Sequence, residues 1–246
     1  MMNDTLWTYW EEENVGTPPL VKLCLESIKK HNPTTVILDE QKLRDMGGSE
    51  PLDRTEGRRS HFRSDLVRFW LLREFGGAWL DADYLCLNPV TLFAPLEDSE
   101  VDFVTRMNGV LHKIASNAIA SRKNGIVITK AYRLASRKLR KKPHLGAMEI
   151  GPALLRTLYA KNKSKTVVLP ARDYSPVERG RLKRWGIRRT DKKHESVSEW
   201  YADATGYHVT FGVIKQYLDW DYDRLFSSDH FMGFILRKVF PDGPPC

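Results

Sequence analysis

The chain is short of several things that would each have pointed to a class. Its three cysteines, Cys24, Cys86 and Cys246, lie far apart in 246 residues and none belongs to a C-x-x-C pair. That excludes a disulfide-stapled scaffold and a cysteine zinc site, and reduced thiols are expected. No apolar run reaches the roughly 20 residues needed to cross a bilayer. The opening MMNDTLWTYWEEE lacks the basic and apolar regions of a signal peptide, so a cytoplasmic chain, at most peripheral to a membrane, is expected. Phosphate loops of the G-x-G-x-x-G or Walker type are missing, and so are RRM, KH, helix-turn-helix and zinc signatures. Carboxylates are outnumbered, 31 against 39 Lys and Arg, for a formal charge of +8. The excess calls for an anionic partner without choosing among nucleic acid, an acidic membrane and a phosphorylated substrate.

What is present reads as one α/β domain. With 41% hydrophobic residues the chain can bury a real core. TLWTYW predicts a strand, PLVKLCLESIKKHN a helix opened by Pro18 and Pro19, TVILD a second strand and EQKLRDM a short helix. Residues 49–59 read as a loop. Ser64 is the expected N-cap of a helix from Asp65 to Phe75, which Gly76 and Gly77 stop so that the chain turns at once into the strand AWL. VDFVTR, IASNAIAS and KTVVLP follow as strands, GIVITKAYRLASRKLRKK and GPALLRTLYAKNK as helices. Strands alternating with helices predict an open sheet with helical crossovers. From Arg172 to Thr205 the pattern dissolves into basic residues, read as a surface insertion or mobile loop and not a second domain.

The chemistry concentrates in RSDLVRFWLLREFGGAWLDADYLCLNP, residues 63–89. Asp81 falls at the carboxyl end of a buried strand, the edge where open α/β sheets bind ligands. Asp81 and Asp83 flank one alanine, and an Asp-x-Asp turn offers two hard oxygen ligands to a divalent ion such as Mg²⁺ or Mn²⁺. Alone the pattern also fits an ordinary Asp turn. Asp65 and Arg68, three apart, share a helix face where they can hold each other or a polyhydroxylated ligand.

This block resembles the SDxxRxxxLxxxGGxYxDxDxxxLxP block of the DXD-containing sugar transferases: capsular polysaccharide synthesis proteins, initiating mannosyltransferases and the glucosylating domains of large clostridial toxins. LWTYWEEENVGTPPLVKLCLESIKKHNPTTVILDE is similar to the start of the capsular branch, and SNAIASRKNG and EIGPALL to two later blocks in the same order. The resemblance implies a GT-A-type, Rossmann-like open mixed sheet flanked by helices in a single domain, with a nucleotide-sugar-binding core at about residues 4–170 and a basic acceptor-side region at about 171–246. It implies a nucleotide-sugar donor, a divalent metal and retention of anomeric configuration. By matched position Asp83 would ligate the metal, Asp81 would contact the donor and reach the ion, Asp65 and Arg68 would hold the transferred sugar, Trp7 would stack on the nucleobase and Asn117 would bind the sugar. Trp79 stands where the family usually has tyrosine.

Other residues stay open between two roles. His230 either closes over the diphosphate or caps a helix, and Glu149 either faces the acceptor or sits in a turn. The aromatics Trp200, Tyr201, Tyr207, Phe211, Tyr217, Trp220 and Tyr222 form an acceptor platform or pack as core. The basic runs from Arg137 and from Arg179 either touch an anionic membrane carrying the glycan acceptor or are simply solvated. A sugar transferase building a glycan is the expectation; protein modification, or a basic nucleic-acid-binding module, are its rivals. Against the module, the sheet edge gathers carboxylates where phosphates would need bases.

Overall fold

The computed structural model describes residues 3–11, 16–108, 113–142, 144–174, 204–209 and 217–245. The basic run from Arg179, with Trp200, Tyr201, Phe211 and Cys246, lies outside the described residues. The strands are β1 (Leu6–Tyr9), β2 (Thr35–Leu38), β3 (Gly77–Leu80), β4 (Tyr84–Cys86), β5 (Phe103–Asn108), β6 (Lys113–Ser121), β7 (Thr166–Leu169) and β8 (Gly206–His208). Six of them form one sheet in the order β2-β1-β3-β6-β5-β7, and β4 pairs separately with β8. β1 runs parallel to β2 and β3, and β5 to β7, whereas β6 is antiparallel to both its neighbours. This is the open mixed sheet expected.

Strand alternation divides the core into layers. Trp7, Trp79, Phe103 and Ile119 point to one face, against α4 (Ser60–Glu74), α5 (Ile126–Lys141) and α6 (Pro152–Lys161). Leu6, Ala78, Leu80, Val104, Ala118 and Ala120 point to the other, with Ile28 of α1 (Pro19–His31) and with Tyr84 and Cys86 of β4. A third cluster joins α1 to the two C-terminal helices, Tyr222–Ser227 and Phe231–Val239, through Leu20, Leu23, Cys24, Phe231 and Ile235.

Two local readings need correction. Residues 49–53 are helical, α3 (Ser49–Asp53), and not loop. Ser64 is not a cap: α4 begins a turn earlier at Ser60, with Arg59 as N-cap, and the added turn buries Phe62. Gly76 and Gly77 end α4 as expected, both in the left-handed region, with φ of 73° and 96°. A side chain on Gly77 would also strike the Thr5 carbonyl across the β1–β3 pair, so the chain needs glycine there twice over.

Candidate active site

Asp81 follows β3 directly, and its N–H donates to Asn117 O at 2.9 Å, carrying the β3–β6 ladder one residue past Leu80. Trp79 and Asp81 share a strand face, and Trp79 Nε1 donates to Asp81 Oδ1 at 2.7 Å. A tyrosine would place no N–H there; the tryptophan helps to fix the carboxylate. The Arg68 guanidinium lies over the Trp79 ring, 5.1 Å from its centroid.

Arg68 is buried and almost fully engaged. Its Nε donates to Ser64 O (3.2 Å), Nη1 to Ser116 O (2.5 Å) and Nη2 to Ser64 Oγ (2.9 Å). Nη2 also pairs with Asp81 at 3.1 Å and with Asp65 at 3.5 Å. A guanidinium so committed holds the two carboxylates in place relative to each other. Asp65 is buried beside it, and burial pushes its pKa up to about 7, with Arg68 opposing and the Asp81 charge adding to the rise. Gly151, at the start of α6, rests directly on the Asp65 carboxylate, where a methyl group would collide with both oxygens. The EIGP stretch therefore contributes through Gly151. Glu149 in the same stretch makes a turn, accepting from Gly146 N (3.1 Å) and pairing with Lys142 (3.5 Å).

The β4–β8 pair completes the site from the far end of the chain. Tyr84 opposes His208 in that register, and the His208 ring stacks on Tyr84 at 6.3 Å. His208 Nε2 reaches Asp83 Oδ1 at 3.1 Å and Asp81 Oδ2 at 3.9 Å. Asp81, Asp83 and His208 each offer one ligand atom, all within 4.8 Å of one another. The three side chains are 22%, 16% and 18% exposed, whereas Asp65 and Arg68 are 6% and 5%, so the trio forms the mouth and the pair its back wall.

Behind His208 runs a chain of polar contacts. Arg106 Nε donates to Asn117 Oδ1 at 3.0 Å, and Asn117 Nδ2 lies 2.7 Å from His208 Nδ1. Arginine only donates, so the amide oxygen must face Arg106 and the amide N–H must face the ring. Nδ1 is then the acceptor, and in the neutral ring the proton sits on Nε2, directed at Asp83. As arranged, the Asn117 amide is engaged at both ends within the protein, by Arg106 on its oxygen and by His208 on its nitrogen.

Trp7 and His230 have other neighbours in this structure. Trp7 is buried, packed on Phe75 at 5.7 Å, and its Nε1 donates to Gly76 O at 2.8 Å. Gly76 precedes β3, whereas Asp81 follows it, so the indole leans toward the opposite end of the strand from the carboxylates and belongs to the core. His230 stands at the start of the last helix, packed on Trp220 (5.3 Å) and Tyr217 (6.2 Å). The histidine at the aspartates is His208. Tyr207 and Tyr217 are buried core residues.

Comparison with known proteins gives the class. The profile of the capsular polysaccharide synthesis protein family matches residues 1–143, more than half of the chain, and the chain belongs to that family. A glycosyltransferase involved in the glycosylation of the major capsid of PBCV-1 superposes with a TM-score of 0.54 at 12% identity, over 86% of this chain and 98% of that one. The PaToxG glycosyltransferase superposes at 0.49 with 13% identity over 65% and 68%, and the galactosyltransferase LgtC, solved with donor and acceptor sugar analogues, at 0.47 with 11% identity over 98% and 97%. No curated protein sequence matches the chain. Fold and family together define a glycosyltransferase of the GT-A type. No helix among the described residues is long and apolar enough to cross a membrane.

Proposed function

We propose that this protein is a metal-dependent, retaining glycosyltransferase that moves a hexose or related sugar from a nucleotide-sugar donor to a glycan acceptor. The supporting observation is the convergence of Asp81, Asp83 and His208 at the mouth of the sheet edge, with Asp65 and Arg68 behind them. Residues at about 4–170 form the donor core in this reading, and about 171–246 the acceptor side, with peripheral contact at an anionic membrane; nucleic acid is not a partner.

The donor set fits Mg²⁺ or Mn²⁺. Two part-exposed carboxylates suit a hard cation that keeps water and takes phosphate oxygens. Asp83 and Asp81 would hold it, with the His208 N–H fixing the Asp83 carboxylate from outside. When bound, the ion supplies Lewis-acid stabilisation of the departing diphosphate. The rest falls to side chains. Trp79 and Arg68 hold Asp81 in one rotamer, and Arg68 sets the angle between Asp81 and Asp65. Asp65, ionised, faces the positive charge that develops at the anomeric carbon.

The test is a panel of nucleotide sugars with Mn²⁺ or Mg²⁺, scored by donor hydrolysis and thermal shift. We expect hydrolysis of one donor class, its loss in chelator, and a drop of about a hundredfold or more in Asp83→Ala with melting unchanged. Full activity of the folded variant in excess chelator would remove the metal from the reading.

A further inference from the structure

α5 carries six cations, Lys130, Arg133, Arg137, Lys138, Arg140 and Lys141, and no carboxylate. Its buried face is Val127, Ile128, Ala131, Tyr132, Ala135 and Leu139. Arg133, Arg137, Arg140 and Lys141 recur at helical spacing on the opposite, exposed face, and none has a carboxylate partner among the described residues. Cations in a last turn complement the helix dipole. That accounts for Arg140 and Lys141; it does not account for Arg133 and Arg137, which lie further back.

The direction of the helix matters more than its charge. Asn124, just before α5, donates its N–H to Arg73 O near the end of α4, and Arg58, just before α4, donates to Leu139 O near the end of α5. The two helices are thus antiparallel, and the basic end of α5 lies beside the start of α4, one to two turns before Asp65 and Arg68. The turn that follows binds to it: Lys138 donates to Glu149 O at 3.1 Å. In this turn Met148 is 52% exposed, the most exposed large apolar side chain among the described residues. Three residues later Gly151 touches Asp65.

We infer that the C-terminal half of α5 and the Met148 turn form a docking face for an anionic lipid bilayer, which would bring the mouth of the site to the membrane surface. Cations flanking an exposed apolar tip match an interface that has negative headgroups outside and hydrocarbon beneath. A soluble polyanion would use the arginines and leave Met148 without a role. The inference rests on the transferase reading only in supposing that an acceptor is met at that surface, and binding is measured without turnover.

The experiment is co-sedimentation of the whole protein with vesicles of phosphatidylcholine alone and of phosphatidylcholine mixed with phosphatidylglycerol, at low and high salt. We expect binding to the mixed vesicles only, weakened by salt. Arg137→Gln with Arg140→Gln should lower it at least about tenfold, from about fivefold per charge near the surface. Met148→Ser should lower it about threefold or more at unchanged charge. Both variants should keep wild-type melting and donor hydrolysis, which separates this face from the donor site. Equal binding to neutral vesicles, or undiminished binding by the arginine variant, would overturn the docking face. Loss through the arginines with none through Met148, together with equal retention on heparin, would replace the bilayer by a soluble polyanion. A wild type without hydrolysis but with vesicle binding would overturn the transferase reading and leave this one standing.

Discussion

The two halves of the site are built by different means. Asp65, Arg68, Trp79 and Asp81 come from one helix-turn-strand unit, and their contacts close within 17 positions of chain. Asp83 instead depends on His208, delivered by a three-residue strand paired with β4 from the other end of the sequence. Local chain geometry therefore joins Asp65, Arg68 and Asp81 through one buried arginine shared between two carboxylates; Ser116 O ties that arginine to β6, and Asp81 belongs at once to this unit and to the mouth. The mouth is organised by docking of a distant segment. Damage to the wall should remove chemistry while sparing the fold; damage to the docking strand should loosen both together.

The sharpest separation is expected from Asp65→Asn. Donor turnover should fall about a hundredfold or more, because the lost charge acts only as positive charge develops at the anomeric carbon. Affinity for the free nucleoside diphosphate, read by calorimetry, should stay within about twofold, since that product has no anomeric centre. Stability should move the other way. The Asp65 pKa is about 7 in the fold against a usual 3.8, so the native state holds a proton that the unfolded chain has lost between those values. Wild-type stability then falls as pH rises from about 4 to 7 and stays lowered above that. The variant lacks this loss, so it should match wild type near pH 4 and exceed it at pH 8 by up to about 4 kcal/mol. Denaturant melts at the two pH values decide it; a variant less stable at pH 8 would show that Asp65 is a stabilising ion-pair member and not a strained functional carboxylate.

Next comes the docking strand. Gly206 faces Leu85 and Tyr84 so closely that an added methyl group would overlap the Leu85 carbonyl. Gly206→Ala should cost about 1–3 kcal/mol and reduce turnover through Asp83. His208→Ala keeps the strand and removes only the ring, so it should lower turnover by about tenfold to a hundredfold with a much smaller loss of stability. Equal stability losses in the two variants would mean that the ring, and not the strand pairing, holds β8 in place.

The same contrast governs what could be read from the sequence. Helical spacing puts Asp65 and Arg68 on one face and the glycine pair puts Asp81 at a strand end, but only the resemblance to the sugar transferases joins the three in one site. Three-residue strands carry no readable period, and nothing in GYH or YLC declares that they pair. His208 therefore carries no readable signal, whereas His230 in FSSDHFMGF stands where the resemblance expects a C-terminal histidine. The alternation shows only in the structure: Tyr207 is buried on one side and His208 opens on the other. Trp7 was placed in the right strand, but strand membership does not say toward which end an indole leans; its bond to the Gly76 carbonyl does. Gly151 required knowing that α6 starts against α4.

The smallest effect is expected from the polar chain behind His208, and it tests the mouth at its finest point. Arg106 makes the Asn117 amide present its N–H to His208 Nδ1, which leaves the ring proton on Nε2, toward Asp83. In Asn117→Asp the carboxylate offers only acceptors, so Nδ1 should gain a proton while Nε2 keeps its own toward Asp83, leaving a ring that donates from both nitrogens. Turnover should change by about tenfold, as for other groups that orient a ligand from behind. Nitrogen-15 NMR of the ring distinguishes the protonation states directly. Wild type should show Nε2–H before and after Mg²⁺ is added, and Asn117→Asp should show N–H on both ring nitrogens. If Mg²⁺ moves the wild-type proton to Nδ1, the Asn117 amide has turned over against Arg106, and His208 is a third ligand to the ion instead of a support for Asp83.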